Sequence, residues 1–238
     1  MLSFGPVTYM DVQKTGCTFI SDVLKKTLDL EPLVDVKHAR FERSKTADDF
    51  VVISRRDPYS QWVSLYNYGC MNLGWIYMRL NDLGLSEKFY TKDKEGLNLF
   101  VSELLHSENS HLLGEGYQQT RHLDVGFQSF RYLAMSMAKP SSSYQYFKNH
   151  EDLIQNYKNL SIVDYVIRTS HLNSDLSHLL TEVIPQYVRK DVSIEEVMAE
   201  SSLGNESTNF VSVDDLAPST RALIEIKEEL LLTLGSND

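Results

Sequence analysis

Cysteine, basic charge and long apolar runs are all scarce in this chain. Only Cys17 and Cys70 occur among 238 residues, which excludes a disulfide scaffold. No run of about 18 apolar residues is present, so no membrane-spanning helix is expected. The opening residues, Met1 to Pro6, lack a basic n-region and an apolar h-region, and do not read as a secretory signal. Lys and Arg number 23 against 33 Asp and Glu, a formal net charge of −10. Non-specific binding to nucleic acid or to an anionic membrane needs a basic surface, so neither partner is expected. Cys-x-x-Cys and His-x-x-x-His spacings are also missing, and no metal is expected. Internal repeats and low-complexity tracts are absent.

What remains is ordinary globular usage, 42% hydrophobic and 24% charged. The length suits a single domain with a sizeable core over residues 1–238, and the simplest location is cytoplasmic. Pro6 to Val12 reads as a strand and Cys17 to Leu30 as a helix, with Phe19, Ile20, Val23, Leu24 and Leu28 on one stripe. Val34 to Val36 suits a short strand. Val51-Val52-Ile53 reads as a strand buried on both faces of a parallel sheet. Asp57-Pro58 then offers an N-cap and a first helical residue, predicting a helix from Pro58 towards Cys70. The middle, Met71 to Met137, reads as largely helical. Pro140 to Tyr144 reads as a loop, Ile162 to Ile167 as a strand, and His171 to Val183 and Pro218 to Leu234 as helices. Ser201 to Asp214 reads as a polar surface loop. Alternation of strands and helices predicts an α/β fold with a central, mainly parallel sheet flanked by helices.

Two strand–helix turns carry the chemistry. Gln13-Lys14-Thr15-Gly16-Cys17-Thr18 joins a predicted strand to a predicted helix. Gly16 permits close backbone approach, and the unpaired amides of the helix start favour an anion. Lys14 adds a mobile charge, and Thr15 and Thr18 add hydroxyls. The loop lacks the spacing of a Walker-type phosphate loop, and the same residues suit a plain strand–turn–helix. The second turn holds Arg56, where the buried strand gives way to the helix. Tyr59, Trp62, Val63 and Tyr66 share one face of that helix. Ser64, eight residues after Arg56, points away from it at about 100° per residue. A surface serine, with Arg56 paired to Asp57, is the bland alternative.

This pair of turns resembles the motifs of sulfotransferases that use 3′-phosphoadenosine 5′-phosphosulfate (PAPS), most closely the carbohydrate branch with the heparan and chondroitin enzymes. Val163 to Arg168, with Leu172 and Asp175, resembles a later strand–helix segment of that branch. Asn205-Glu206-Ser207 resembles its C-terminal end loosely. The resemblance implies a three-layer, P-loop-type fold. Its nucleotide core would span about 5–70 and 160–185, with an acceptor-side helical insert at about 71–150. It implies Lys14 near the bridging oxygen of PAPS, Thr15, Gly16, Cys17 and Thr18 around the 5′-phosphate, and Arg56 and Ser64 on the 3′-phosphate. The product would be adenosine 3′,5′-bisphosphate (PAP), with no metal. It also admits an anchor-free fragment of a Golgi-lumenal enzyme.

A hydroxyl acceptor needs a base. His38, between the two motifs, is the first candidate, and His122 or an acidic residue the alternative. The acceptor reads as a saccharide, glycan or small-molecule hydroxyl. A long sulfated polymer fits poorly with the charge of −10. Aromatic residues of the middle segment, Trp75 to Tyr132, suit either a core or a ring-stacking acceptor site, and Arg79, Arg121 and Arg131 suit either contacts to an acidic acceptor or, more simply, a solvated surface. Cys17, at a helix start, reads as a thiol of lowered pKa. Two other functions stay open: a P-loop kinase-like nucleotide phosphotransferase, and a non-catalytic PAPS- or PAP-binding relative.

Overall fold

The structure, a computed structural model, describes residues 1–201 and 208–236. Its elements run β1 (Leu2–Ser3), β2 (Val7–Met10), α1 (Cys17–Thr27), β3 (Val34–Asp35), β4 (Phe50–Arg55) and α2 (Pro58–Cys70). A helical stretch follows: α3 (Trp75–Asp82), α4 (Ser86–Phe89), α5 (Lys94–Leu105), α6 (Ser110–Leu113), α7 (Phe127–Ser136), α8 (Pro140–Ser143) and α9 (His150–Leu160). The last elements are β5 (Tyr165–Arg168), α10 (Leu172–His178), α11 (Ile194–Glu200), α12 (Pro218–Lys227) and α13 (Glu229–Ser236). The stretch Asn205-Glu206-Ser207, and with it part of the expected loop from Ser201 to Asp214, lies outside the described residues. Among the described residues, no helix is long and apolar enough to cross a membrane.

The chain divides into two compact units. Among the described residues, the first comprises 1–56, 134–140 and 160–201, and the second 57–133, 141–159 and 208–236. The first unit holds a five-stranded sheet in the order β3-β1-β2-β4-β5. β2, β4 and β5 are mutually parallel, with Met10 opposite Ile53 and Ile53 opposite Val166. β1 pairs antiparallel with β2 and with β3. The α/β class expected from the sequence is therefore present, with a sheet that is mixed. The reason is local: Phe4 donates to Val7 across a tight turn in which Gly5 takes a φ of 89°. Strands joined by so short a turn can only run antiparallel.

One face of this sheet meets α1, α10 and α11. Val7, Tyr9 and Val52 join Phe19, Ile20, Val23, Leu24, Leu176, Leu179 and Ile194 in one buried cluster. The apolar stripe predicted on α1 is thus its core face. Each such aliphatic side chain contributes about 1.5–3 kcal/mol of burial. Past α10 the chain widens into a π-turn at Leu179–Val183, so the predicted longer helix is not uniform. Pro140 to Ser143, expected as loop, forms α8, since proline's fixed φ suits a first helical position.

The second unit has an aromatic core. Trp62 meets Phe100 edge-on at 5.9 Å, and Tyr66 and Phe89 pack on the same ring. Phe89, Phe100, Tyr117, Phe127 and Tyr132 are all buried, so these aromatics fill a core. The predicted C-terminal helix is interrupted at Glu228, which is wholly buried. Its carboxylate accepts from the backbone N–H groups of Gln128 (3.1 Å) and Ser129 (2.7 Å) and from Trp62 Nε1 (3.3 Å). It thereby satisfies amides in the first turn of α7.

Candidate functional site

The first unit gathers three strand ends. β2, β4 and β5 are adjacent and parallel, so their carboxyl ends open on the same edge of the sheet, where α/β folds bind ligands. Residues 11–16 follow β2. Lys14 and Gly16 both take left-handed backbone conformations, with φ of 60° and 84°. Such conformations turn successive amides towards a common point, a concavity suited to anions. Gly16 is also the N-cap of α1 and supplies no side-chain cap to its first-turn amides. Leu172 of α10 would lie 3.3 Å from a Cβ at Gly16, so a side chain there would be strained by the backbone and crowded by Leu172.

Thr15 is fully buried. Its hydroxyl donates to the Val12 carbonyl (2.7 Å) and lies 2.5 Å from Ser54 Oγ, which in turn meets the Tyr9 hydroxyl at 2.7 Å. The side chain thus braces the turn against β4. Arg56 directly follows β4, and its Nη1 donates to the Lys14 carbonyl at 3.2 Å. Two cationic side chains therefore belong to one small region. Burial, and then the Arg56 guanidinium, push the Lys14 ammonium below its usual pKa. An anion bound here would relieve that penalty.

His38 lies beside the end of β2 and also takes a left-handed φ, 59°. Its backbone N–H donates to both Asp11 carboxylate oxygens at 3.0 Å. Its Nδ1 lies 2.6 Å from the Asp11 carbonyl, which can only accept. The proton is thus fixed on Nδ1, leaving Nε2 as the basic nitrogen. The Asp11 carboxylate is 3.5 Å from Nδ1 and also meets the Met1 amino group. The imidazole is 26% exposed.

Other expected residues behave differently. Ser64 lies on α2, in the second unit, and is only 8% exposed. The expected amphipathic helix is in fact buried continuously from Gln61 to Asn67. Asp57 accepts from Ser60 N at 3.1 Å and caps α2 as predicted. The lowered pKa expected of Cys17 is reversed: burial, and then the Asp11 carboxylate, raise it against the opposing pull of Lys37 and Lys14. Thr18 sits in the first turn of α1. His122 Nε2 meets the carbonyls of Tyr144 (3.3 Å) and Phe147 (3.2 Å), so that nitrogen carries the proton. Arg131, expected to be solvated, is buried and bonded to Glu115. Arg79 and Arg121 bond to Leu112 O and Ser110 Oγ, also inside the second unit.

No protein-family model matches the chain. No solved structure matches it. Among characterised proteins it is similar to reticulocyte-binding protein homolog 1 of Plasmodium falciparum (isolate 3D7), at 21% identity over 226 residues. That match takes in 94% of this chain, and the chain spans 7% of the relative's length. Similarity of this extent does not place the chain in a family.

Three residues of this region carry no sequence signal of their own. Asp11 is a single carboxylate at a strand end. Ser54 merely follows the apolar run Val51 to Ile53. Thr169, just past β5, donates its hydroxyl towards the carbonyls of Arg55 (3.0 Å) and Thr15 (3.2 Å). The partners of each are distant in the chain, and a spacing rule reports only near neighbours.

Proposed function

We propose that the chain is a P-loop-type sulfotransferase that moves a sulfuryl group from PAPS to a hydroxyl of a saccharide or glycan. The observation that carries this reading is the pairing of the Lys14 turn with Arg56 at the ends of adjacent parallel strands, with 3.2 Å between Arg56 Nη1 and Lys14 O. Two cations beside an uncapped helix start suit a small ligand bearing more than one phosphate. The amides of Gly16, Cys17 and Thr18, with the turn braced by Thr15, hold the 5′-phosphate. Arg56 holds the 3′-phosphate.

His38 Nε2 takes the acceptor's hydroxyl proton, and Asp11 steadies the resulting imidazolium. The acceptor oxygen forms a bond to sulfur as the sulfur–oxygen bond to the phosphate breaks. Lys14 neutralises the bisphosphate that leaves with the bonding electrons.

Calorimetry tests the reading directly. PAP should bind and ATP should not, and Lys14→Ala and Arg56→Ala should each weaken PAP by about 10–100-fold, the loss of a charge-assisted bond. Binding of ATP with indifference to PAP would favour a phosphotransferase. A panel of glycan and phenolic acceptors with PAPS then separates an enzyme from a binder.

A further inference from the structure

The corner between β5 and α10 bears on both cationic turns. Arg168, the last residue of β5, is held by the Asp175 carboxylate, which accepts from its backbone N (2.8 Å), Nε (2.8 Å) and Nη2 (2.6 Å). Asp175 is 5% exposed. The next residue, Thr169, therefore follows a strand end anchored to α10 through Asp175. Its hydroxyl faces the carbonyls of Arg55 and Thr15 at 3.0 and 3.2 Å. One hydrogen serves both, a three-centre bond. These carbonyls belong to the peptides that lead into Arg56 and into Gly16. Two further contacts join the same segments: Thr15 Oγ1 to Ser54 Oγ at 2.5 Å, and Arg56 Nη1 to Lys14 O at 3.2 Å.

We infer that Thr169 is a positioning residue that sets the spacing between two phosphate subsites, one at the Lys14 turn and one at Arg56. The inference rests on the nucleotide reading above. A rigid ligand with two anionic groups gains from both subsites only when they are held at its own separation. The second contact is then made at high effective concentration. Loosening one turn relative to the other leaves each subsite intact and forfeits the joint gain. A ligand with one phosphate has no such gain to lose.

The test is calorimetry on Thr169→Val and Thr169→Ser with three probes: adenosine 3′,5′-bisphosphate, adenosine 5′-phosphate and adenosine 3′-phosphate. The valine variant should bind the bisphosphate about tenfold more weakly and each monophosphate within about twofold of the unsubstituted protein, and the serine variant should restore the bisphosphate. Should the valine variant not fold, Thr169→Ala provides the same comparison. Equal losses on all three probes, or no loss on the bisphosphate, overturn the inference. The unsubstituted protein reports separately on the functional reading. If it does not prefer the bisphosphate to the 5′-phosphate, the two-phosphate site fails before any variant is made, and this inference falls with it.

Discussion

His38 has the geometry of an oriented base. A histidine in solution has no fixed tautomer, whereas here the Asp11 carbonyl, 2.6 Å from Nδ1, selects one. Its left-handed φ of 59° is costly for a side-chain-bearing residue and is held by the Asp11 carboxylate on its backbone N–H. Replacing His38 by alanine should lower transfer by about 10²–10⁴-fold while PAP affinity stays within about twofold. Steady-state kinetics beside calorimetry check this, and full turnover in the variant would move the base elsewhere. His38 was legible as a candidate because it lies between two motifs. The role of Asp11 was not, because a lone carboxylate has no spacing signature. The thiol of Cys17 shows the same limit. A helix start favours the thiolate, but burial beside Asp11 outweighs it, and burial is not written in a six-residue motif.

Elements follow the same division. The strand ahead of Lys14 and the helix after Gly16 were readable because each is a local pattern: β formers, then an apolar stripe at helical spacing. The start of α2 was readable from Asp57 and Pro58, which cap and open it. The burial of α2 from Gln61 to Asn67 was not, since packing on a second face leaves no periodic trace. The entry into α1 makes a sharp prediction. Gly16 sits at a φ of 84°, with Leu172 Cδ2 3.3 Å from the position of a Cβ. Gly16→Ala should destabilise the protein by about 1–2 kcal/mol from backbone conformation alone, and should weaken PAP binding as the turn shifts. Urea denaturation measures the first effect. A variant as stable as the unsubstituted protein would show that the turn relaxes freely. The antiparallel pairing of β1 with β2 follows from the Gly5 turn, a short-range cause.

At the scale of the molecule, Glu228 sets a pH dependence of stability. Burial pushes its carboxyl up to about 7 from an ordinary 4.5, against the opposing pull of the Ser129, Gln128 and Trp62 donors. A raised carboxyl binds its proton more tightly in the folded state than in the unfolded one. The stabilisation is complete below about 4.5 and is lost as pH rises to about 7, a change on the order of 3 kcal/mol. Glu228→Gln should abolish that slope. Unfolding curves collected between these pH values for both proteins decide it, and an unchanged slope in the glutamine variant would assign the dependence to another group. The net charge of −10 acquires a similar meaning at this scale. Lys14 and Arg56 belong to one small region of an acidic chain, and under the proposed function a neutral or lightly charged acceptor is expected rather than a densely sulfated one.

Composition and local pattern were enough to establish the α/β class, the two strand–helix turns and the cations on them. Each depends on residues within a few positions of one another, where backbone geometry alone relates side chains to structure. The union of those turns is a different matter. The Lys14 carbonyl meets Arg56 because β2 pairs with β4, and Thr169 reaches the carbonyls of Arg55 and Thr15 because β5 pairs with β4 in turn. The raised carboxyl of buried Glu228, the braced hydroxyl of Thr15 and the fixed tautomer of His38 likewise depend on partners dozens of residues away. Burial and long-range hydrogen bonds are properties of the packed chain, and only folding brings them about.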